Sequence, residues 1–394
     1  MSRPDPKDKR QRWLLGMKKM HDWQKHLRFG IMVAILLLIW IGFHFATDSA
    51  FLSARNLSNL MRQMSVTGLV AIGMVLVIVA GQIDLSVGSG VALVGGAAAI
   101  LYVHHDFPPA LTILAALGLG AAMGLIQGTL VAYLRIPAFI VTLGGMMAFR
   151  GALWSVTQSI SIHLPEGFFR TFGSAYLPKP LGWALAGLAV AITISAFFWR
   201  RQSRLRYGLP AHGALFTAAQ AALVSALILL FMAVMNSYQG VPLPVLILLV
   251  LTLLMSFVAS GLSFGRGVYA IGGNPDAAYL SGIAVKRHLL GVFVILGLLV
   301  GVAGLTLTSW VGSATPEAGQ LLELDAIAAC VIGGASLMGG RGQVPGAILG
   351  ALIMASLDNG MSLMNLDPFW QLVVKGCVLV AAVYIDILTR RRSG

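Results

Sequence analysis

Long apolar segments separated by short polar ones occupy most of this chain. Twelve of them are long enough, or nearly so, to cross a bilayer core of about 30 Å as helices of roughly 20 residues. They lie at 29–46, 65–83, 86–104, 110–133, 137–157, 181–199, 214–235, 242–260, 288–309, 324–340, 344–362 and 369–387. The pattern predicts an all-α, polytopic membrane protein with about ten to twelve transmembrane helices, including broken or re-entrant segments.

Two glycine-rich stretches interrupt the apolar pattern. The first is GQIDLSVGSGVALVGG at 81–96, and the second is IGGASLMGGRGQVPG at 332–346, shortly after LDAIAAC. Irregular backbone at membrane depth is tolerated only where protein buries it or where it lines a water-filled cavity. The polar residues in and beside these stretches are therefore candidates for a translocation path: Asp84, Ser86, Ser89, Asp325 and Ser336. For Asp84 a helix cap is the alternative interpretation.

A polar segment at 264–288 carries its own signals for a short helix. Asn274 suits the N-cap, Pro275 suits the first helical position, and Asp276 suits the positive end of the helix dipole. Gly282 suits the left-handed residue that closes a helix. A helix of about two turns is unstable by itself. We therefore expect the segment to dock on a soluble partner, with an ordinary connecting loop as the alternative.

Apolar residues recur at helical spacing between the first two apolar segments, and polar residues cover the other side. The apolar positions are Leu57, Leu60, Met61 and Met64. This spacing predicts a short amphipathic helix on the outer surface. It would either receive an extracytoplasmic partner or simply lead into the second span.

Glycines four residues apart predict places where helices approach closely. They occur as Gly120, Gly124 and Gly128, as Gly297 and Gly301, and as Gly346 and Gly350. Packing within one chain is the favoured interpretation, and a seam between two copies is the alternative.

Two basic residues fall inside predicted spans. Arg150 lies within the fifth, where an unpaired charge costs about 2.5–3.5 kcal/mol on insertion scales. We therefore expect an ion pair with Asp84, Asp325 or Asp358. Lys375 lies near the outer end of its span and is expected to reach the interface with its long side chain.

Composition and charge support a membrane protein and indicate its orientation. Hydrophobic residues make up 58% of the 394, charged residues only 10%, and the mean hydropathy is +0.86, which is too apolar for a soluble domain. The net charge of +13 comes from short clusters between spans, so nucleic acid is not an expected partner. An orientation with both termini in the cytoplasm places 21 of the 27 Lys and Arg residues inside.

Motifs for catalysis are missing from the sequence. It contains no phosphate-binding loop, no His-Glu-x-x-His, no Cys-x-x-Cys and no nucleophile elbow. Cys330 and Cys377 are isolated in apolar runs, and His104 and His105 beside Asp106 fit an exposed turn better than a metal site. We expect no catalytic residue, no bound metal and no cofactor on this chain.

Five sequence blocks resemble one family, the membrane permease subunits of bacterial ABC sugar importers of the ribose/xylose class. They are GQIDLSVGS (81–89), IPAFIVTLGGMMAFRG (136–151), GRGVYAIGGNPDAAYLSGI (265–283), LDAIAACVIGGASLMGGRG (324–342) and ASLDNGMSLM (355–364). The D-xylose permease type is the most similar, because the chain carries an additional segment at about 180–240. The resemblance covers most of the chain from about residue 50 onward.

This resemblance implies a permease that translocates a monosaccharide, D-xylose above others, across the bacterial inner membrane. It implies a homodimer, a cytoplasmic ATPase that holds ATP and Mg²⁺, and a periplasmic sugar-binding protein. The expected domain plan is a cytoplasmic tail (1–28), a permease domain (29–387) containing the coupling loop 264–288, and a second cytoplasmic tail (388–394). The implied coupling helix, which docks on the ATPase, comprises Gly273, Asn274, Pro275, Asp276, Ala277, Ala278, Leu280, Ser281 and Gly282.

An ion-coupled secondary sugar transporter is the principal alternative, because broken spans and buried charge would also serve ion coupling. The capped helix argues against it, since such a carrier needs no docking site for a soluble motor. An integral membrane enzyme is a weaker alternative, because the nucleophile and metal patterns are missing.

Overall fold

A computed structural model of the chain describes residues 30–211 and 213–391, and nearly all of its regular structure is helical. In chain order the elements are α1 (Gly30–Ala46), α2 (Ala54–Val79), α3 (Val87–Val103), α4 (Pro109–Ala132), α5 (Ala138–Thr157), β1 (Ile162–His163), α6 (Phe168–Ser174), α7 (Lys179–Arg206), α8 (Ala214–Ser237), α9 (Leu243–Ser260), α10 (Ser263–Gly273), α11 (Pro275–Leu280), α12 (Val285–Val311), β2 (Ser313–Ala314), α13 (Leu322–Ile332), α14 (Val344–Leu363) and α15 (Pro368–Arg391).

Eight helices in the described part of the chain are long and apolar enough to cross a membrane: α2, α4, α5, α7, α8, α9, α12 and α14. Shorter apolar helices occupy Gly30–Ala46, Val87–Val103 and Pro368–Tyr384. The prediction of an all-α, polytopic membrane protein is confirmed. The strands β1 and β2 form one small antiparallel pair, in which Ile162 is opposite Ala314.

Helix α2 forms the centre of the bundle and contacts α9, α12, α13 and α14. It begins at Ala54, directly after Ser53, whose Oγ accepts a hydrogen bond from the Asn56 N–H at 3.3 Å. The prediction of a separate amphipathic helix on the outer surface was wrong, and the alternative, that this stretch leads directly into the second span, is confirmed. Nothing breaks the helix before residue 79, and the four apolar residues all pack into the core: Leu57, Leu60, Met61 and Met64.

The predicted glycine contacts hold α4 against α12 within one chain. A Cβ added at Gly120 would overlap the Gly297 carbonyl, and one at Gly124 would overlap the Phe293 carbonyl. A side chain at either position would therefore push the two helices apart. Gly346 and Gly350 allow a similar close contact between α13 and α14, because a Cβ added at Gly350 would overlap the Ala329 carbonyl. The intramolecular interpretation of these glycines is confirmed.

Replacing Gly124 by Ala should lower the thermal unfolding temperature of the purified protein by several degrees. The added methyl group must displace backbone of α12, and overpacking of this kind costs about 1–3 kcal/mol. Gly118→Ala is a matched control on the same helix, because nothing lies within 4 Å of a Cβ added there. We expect that control to be neutral or slightly stabilising, since Ala favours helix over Gly. Equal unfolding temperatures for the two variants would contradict this packing argument.

Helix α13 is shorter than the span of 17 residues that the sequence pattern predicts at 324–340. It has 11 residues and ends at Ile332, so it is about 16 Å long and cannot cross the membrane alone. The predicted span at 324–340 was therefore too long, whereas the irregular backbone after Ile332 agrees with the predicted interruption at 332–346. Its first turn meets the first turn of α3, because a Cβ at Gly88 would overlap the Gly319 carbonyl and the Glu323 carboxylate. Helices α3 and α13 thus begin close together inside the bundle.

The additional segment predicted at 180–240 is a helical hairpin formed by α7 and α8. Its two ends are held together by backbone hydrogen bonds, from the Leu177 N–H to the Val241 carbonyl at 2.8 Å and from the Leu243 N–H to the Ala175 carbonyl at 3.0 Å. The two helices pack against each other, and α8 also contacts α2.

The predicted tails are only partly within the described residues. The tail 1–28 lies outside them. Of the predicted tail 388–394, residues 388–391 continue α15 as helix, and 392–394 lie outside the described residues.

Candidate coupling and translocation sites

The short helix predicted from the sequence is α11, and its capping matches the prediction. The Asn274 Oδ1 accepts a hydrogen bond from the Ala277 N–H at 3.0 Å, and Pro275 occupies the first helical position. Asp276 lies in the first turn, at the positive end of the helix dipole. Gly282 has φ +82°, the left-handed conformation expected after the helix. Sequence alone therefore determines this element, because each signal is local.

Side-chain exposure divides α11 into an inner and an outer face. Ala278 is only 4% exposed and packs inward, whereas Tyr279 is 71% and Leu280 85% exposed. The exposed residues of the predicted site also include Ala277 and Ser281. Ala278 therefore anchors the helix and does not belong to an exposed docking face. Tyr279 was not among the predicted site residues, although a large apolar side chain beside Leu280 in a polar loop was a usable signal.

Helix α10 was not predicted, and it joins α11 to the centre of the bundle. The Tyr269 hydroxyl donates a hydrogen bond to the Gly342 carbonyl at 2.7 Å. Burial raises the pKa of Tyr269 above its ordinary value, so the hydroxyl remains a donor at neutral pH. A Cβ at Gly272 would overlap the Val79 carbonyl, which itself accepts a hydrogen bond from the Gly340 N–H at 2.8 Å. Helix α10 thus contacts both the end of α2 and the irregular segment after α13.

Three of the translocation-path candidates lie together at the start of α3. The Asp84 Oδ1 accepts hydrogen bonds from the N–H and the hydroxyl of Ser86, each at 2.7 Å. The Gln127 amide donates to the Ser86 hydroxyl at 2.7 Å, and the Ser89 hydroxyl donates to the Ser86 carbonyl at 2.9 Å. Asp84 therefore forms a local turn onto Ser86, the N-cap residue of α3, and the helix itself has no side-chain cap hydrogen bond, so the alternative interpretation of Asp84 as a helix cap was wrong.

A small cavity adjoins this cluster, lined in part by Asp84, Ser86, Gln127 and Phe149. Asp84, Ser86 and Ser89 are all buried within the chain. A role in the translocation path remains a prediction for these residues, and it would require the packing around them to open.

Arg150 does not form the predicted ion pair. Its guanidinium donates to the backbone carbonyls of Pro316 and Ala318, at 2.9 and 2.8 Å. Glu317 and Glu323 are near enough to interact with it electrostatically. The predicted partners were wrong because carbonyl acceptors on a distant loop leave no signal in the sequence. Arg150 instead fixes the segment between β2 and α13 against α5.

Lys375 pairs with Asp325 and Asp358, two of the carboxylates that were predicted to pair with Arg150. Its Nζ lies 3.0 Å from the Asp325 Oδ2 and 2.9 Å from the Asp358 Oδ2, and all three side chains are mostly buried. The expectation that Lys375 reaches the interface was wrong. The ion cluster joins α15 to α13 and α14, so Asp325 has a structural partner in addition to its predicted place in the path.

Ser336, the last path candidate, lies in the irregular segment between α13 and α14. It is buried, and its N–H donates to the Arg341 carbonyl at 2.9 Å. This segment packs against α10, because a Cβ at Gly339 would closely approach the Gly272 backbone. Ser336 therefore lies in the segment that contacts α10.

Among the residues that the structure describes, no group of three or more His, Cys, Asp or Glu side chains is arranged to hold a metal ion. The carboxylates of Asp325 and Asp358 face the Lys375 cation, which suits a structural role.

Comparison with known proteins finds relatives that align with nearly the full length of this chain. Residues 56–383 match a family model described as the branched-chain amino acid transport system permease component. The xylose transport system permease protein XylH of Escherichia coli (strain K12) is 47% identical over 96% of this chain and 95% of its own length. The ribose import permease protein RbsC of the same strain is 34% identical, over 89% of this chain and 92% of its own length. The fructose import permease protein FrcC of Rhizobium meliloti is 31% identical, over 95% of this chain and 89% of its own length. No solved structure matches the chain.

Proposed function

Because the chain belongs to the family of branched-chain amino acid transport system permease components, we propose that it is the transmembrane permease of an ABC importer that carries D-xylose. The observation that carries the proposal is the 47% identity with a xylose permease over 96% of the chain. The ribose and fructose import permeases are less similar. All three names describe permeases of transport or import systems, which favours this function over the ion-coupled carrier.

The proposed assembly contains two copies of this chain, a cytoplasmic ATPase and a periplasmic sugar-binding protein. ATP and Mg²⁺ belong to the ATPase, and this chain itself carries out no catalysis. It resides in the inner membrane with both termini in the cytoplasm, as the distribution of Lys and Arg favours. In this orientation α10 and α11 face the cytoplasm.

Helix α11 is the proposed contact with the ATPase. Tyr279 and Leu280 are large apolar side chains that are mostly exposed in the isolated chain. Such residues on a water-facing segment are typical of an interface anchor that fills a pocket on a partner. The burial of Ala278 and the cap at Asn274 support this role, because they hold the exposed pair in one orientation.

Helix α10 is the proposed route by which movement of α11 reaches the bundle. When the ATPase closes on ATP, it displaces α11, and α10 follows. Tyr269 contacts Gly342, in the irregular segment between α13 and α14, and Gly272 contacts Val79, at the end of α2. Movement of α10 would therefore act on both places at once. Packed helices are bistable and not continuously deformable, which suits a switch between outward-open and inward-open arrangements.

Reconstitution tests this function directly. We expect proteoliposomes that contain this chain, its ATPase and its sugar-binding protein to accumulate radiolabelled D-xylose only with ATP on the ATPase side. Vesicles without the ATPase serve as the control. Xylose uptake in that control, driven by a proton or sodium gradient, would support the carrier instead. If uptake depended on ATP but the vesicles accumulated another sugar and not xylose, the proposed importer function would stand and the proposed substrate would be refuted.

A further inference from the structure

The hairpin of α7 and α8 ends in an unusual concentration of positive charge. Arg200, Arg201, Arg204 and Arg206 lie within seven residues, in the last two turns of α7. The sequence contains no Asp or Glu between Glu166 and Asp276. No acidic side chain of the hairpin itself can therefore neutralise this cluster. Arg200, Arg204 and Arg206 are exposed.

The length of α7 places these arginines beyond the hydrocarbon core. The helix has 28 residues and is about 42 Å long, whereas the core is about 30 Å thick. The apolar part at 181–198 fills most of that thickness, and the arginines follow it. Trp199, which is 72% exposed, stands at the junction, as aromatic residues do at membrane interfaces.

Apolar side chains accompany the arginines at the same end of the hairpin. Leu205, Tyr207, Leu209 and Leu215 are each at least half exposed. Exposed apolar groups interleaved with cations are unfavourable in water but suit the boundary between lipid headgroups and acyl chains. The hairpin is also peripheral, since α7 packs mainly on α8 and is otherwise largely exposed.

We propose that the basic end of the α7–α8 hairpin is a binding site for anionic phospholipid headgroups. The arginines donate to the phosphate groups, and guanidinium donors in a planar fork suit phosphate oxygens. The apolar residues enter the acyl boundary beside them. In the orientation proposed above, this surface meets the cytoplasmic leaflet. The lipid site itself does not depend on xylose transport.

Native mass spectrometry of the purified full chain tests the site with phosphatidylglycerol as the anionic probe and phosphatidylethanolamine as its neutral counterpart. In the triple variant Arg200→Gln, Arg204→Gln, Arg206→Gln we expect phosphatidylglycerol to bind on the order of 100-fold more weakly, because each basic residue contributes roughly fivefold near a membrane surface. Phosphatidylethanolamine binding should not change.

Two control variants make the result specific. Lys at the same three positions should retain most of the phosphatidylglycerol binding, because the charge is kept. Neutralising Arg266, Lys286 and Arg287 removes equal charge elsewhere, and should leave phosphatidylglycerol binding within a few-fold of the parent. High salt should weaken binding to the parent chain, which gives a second readout if the glutamine variant does not fold.

Unchanged phosphatidylglycerol affinity in the glutamine variant would overturn the proposal. So would an equal loss in both neutralised variants, because binding would then follow total charge and not this surface. A loss of self-association or of ATPase binding with lipid affinity intact would assign the surface to a protein partner and reject the lipid site.

Discussion

Replacing Leu280 by Asp should abolish ATP-dependent uptake and reduce co-purification of the ATPase at least 30-fold, while the chain still inserts and folds. The leucine is 85% exposed, so the substitution costs the isolated chain little. In the complex it removes an apolar anchor and buries an unpaired carboxylate, and hot-spot losses of this kind exceed about 2 kcal/mol. The measurement is a pull-down of ATPase by the tagged permease, followed by uptake in proteoliposomes.

Two control variants separate docking from folding. Leu209→Asp places the same charge at an exposed leucine on the α7–α8 connection and should leave ATPase binding intact. Ala278→Asp places it at a buried position of α11 and should lower the unfolding temperature as well as binding. If Leu280→Asp retained normal uptake, α11 would not be the docking helix.

Replacing Lys375 by Met should destabilise the protein by about 3–5 kcal/mol, the cost of breaking a buried ion pair by removing one partner. Asp325 and Asp358 would then share a mostly buried site without a cation. Because the cluster joins α15 to α13 and α14, we expect α15 to detach first. Reversible unfolding in a denaturing detergent and protease accessibility of α15 are the measurements.

The triple variant Lys375→Met, Asp325→Asn, Asp358→Asn is the matched control. It removes the lysine contacts as well but leaves no uncompensated charge, so we expect it to recover most of the lost stability. If the single substitution Lys375→Met left the protein as stable as the parent, the ion cluster would not be what holds α15 in place.

Local signals in the sequence predicted the membrane helices and α11 well. Asn274, Pro275 and Gly282 act on their immediate neighbours, so their pattern alone determines where that helix starts and ends. The glycines of α4 were equally informative, because a residue without a Cβ marks a close contact whatever the partner.

Long-range contacts account for most of the errors. Arg150 donates to carbonyls more than 160 residues away, and any residue type could supply those acceptors. Lys375 pairs with carboxylates on two other helices, which its own position in an apolar run does not reveal. The predicted span at 324–340 was too long because it extended into the glycine-rich stretch at 332–346, and α13 ends where that stretch begins, at Ile332.

The closure of the backbone between Leu177 and Val241 has a consequence for protein engineering. Because the chain leaves and re-enters the bundle at neighbouring points, residues 178–240 can be excised and replaced by a tight turn without repositioning α9. We expect the remainder to be a shorter permease, in which the contacts that Met232 and Met235 of α8 make with the core must be replaced.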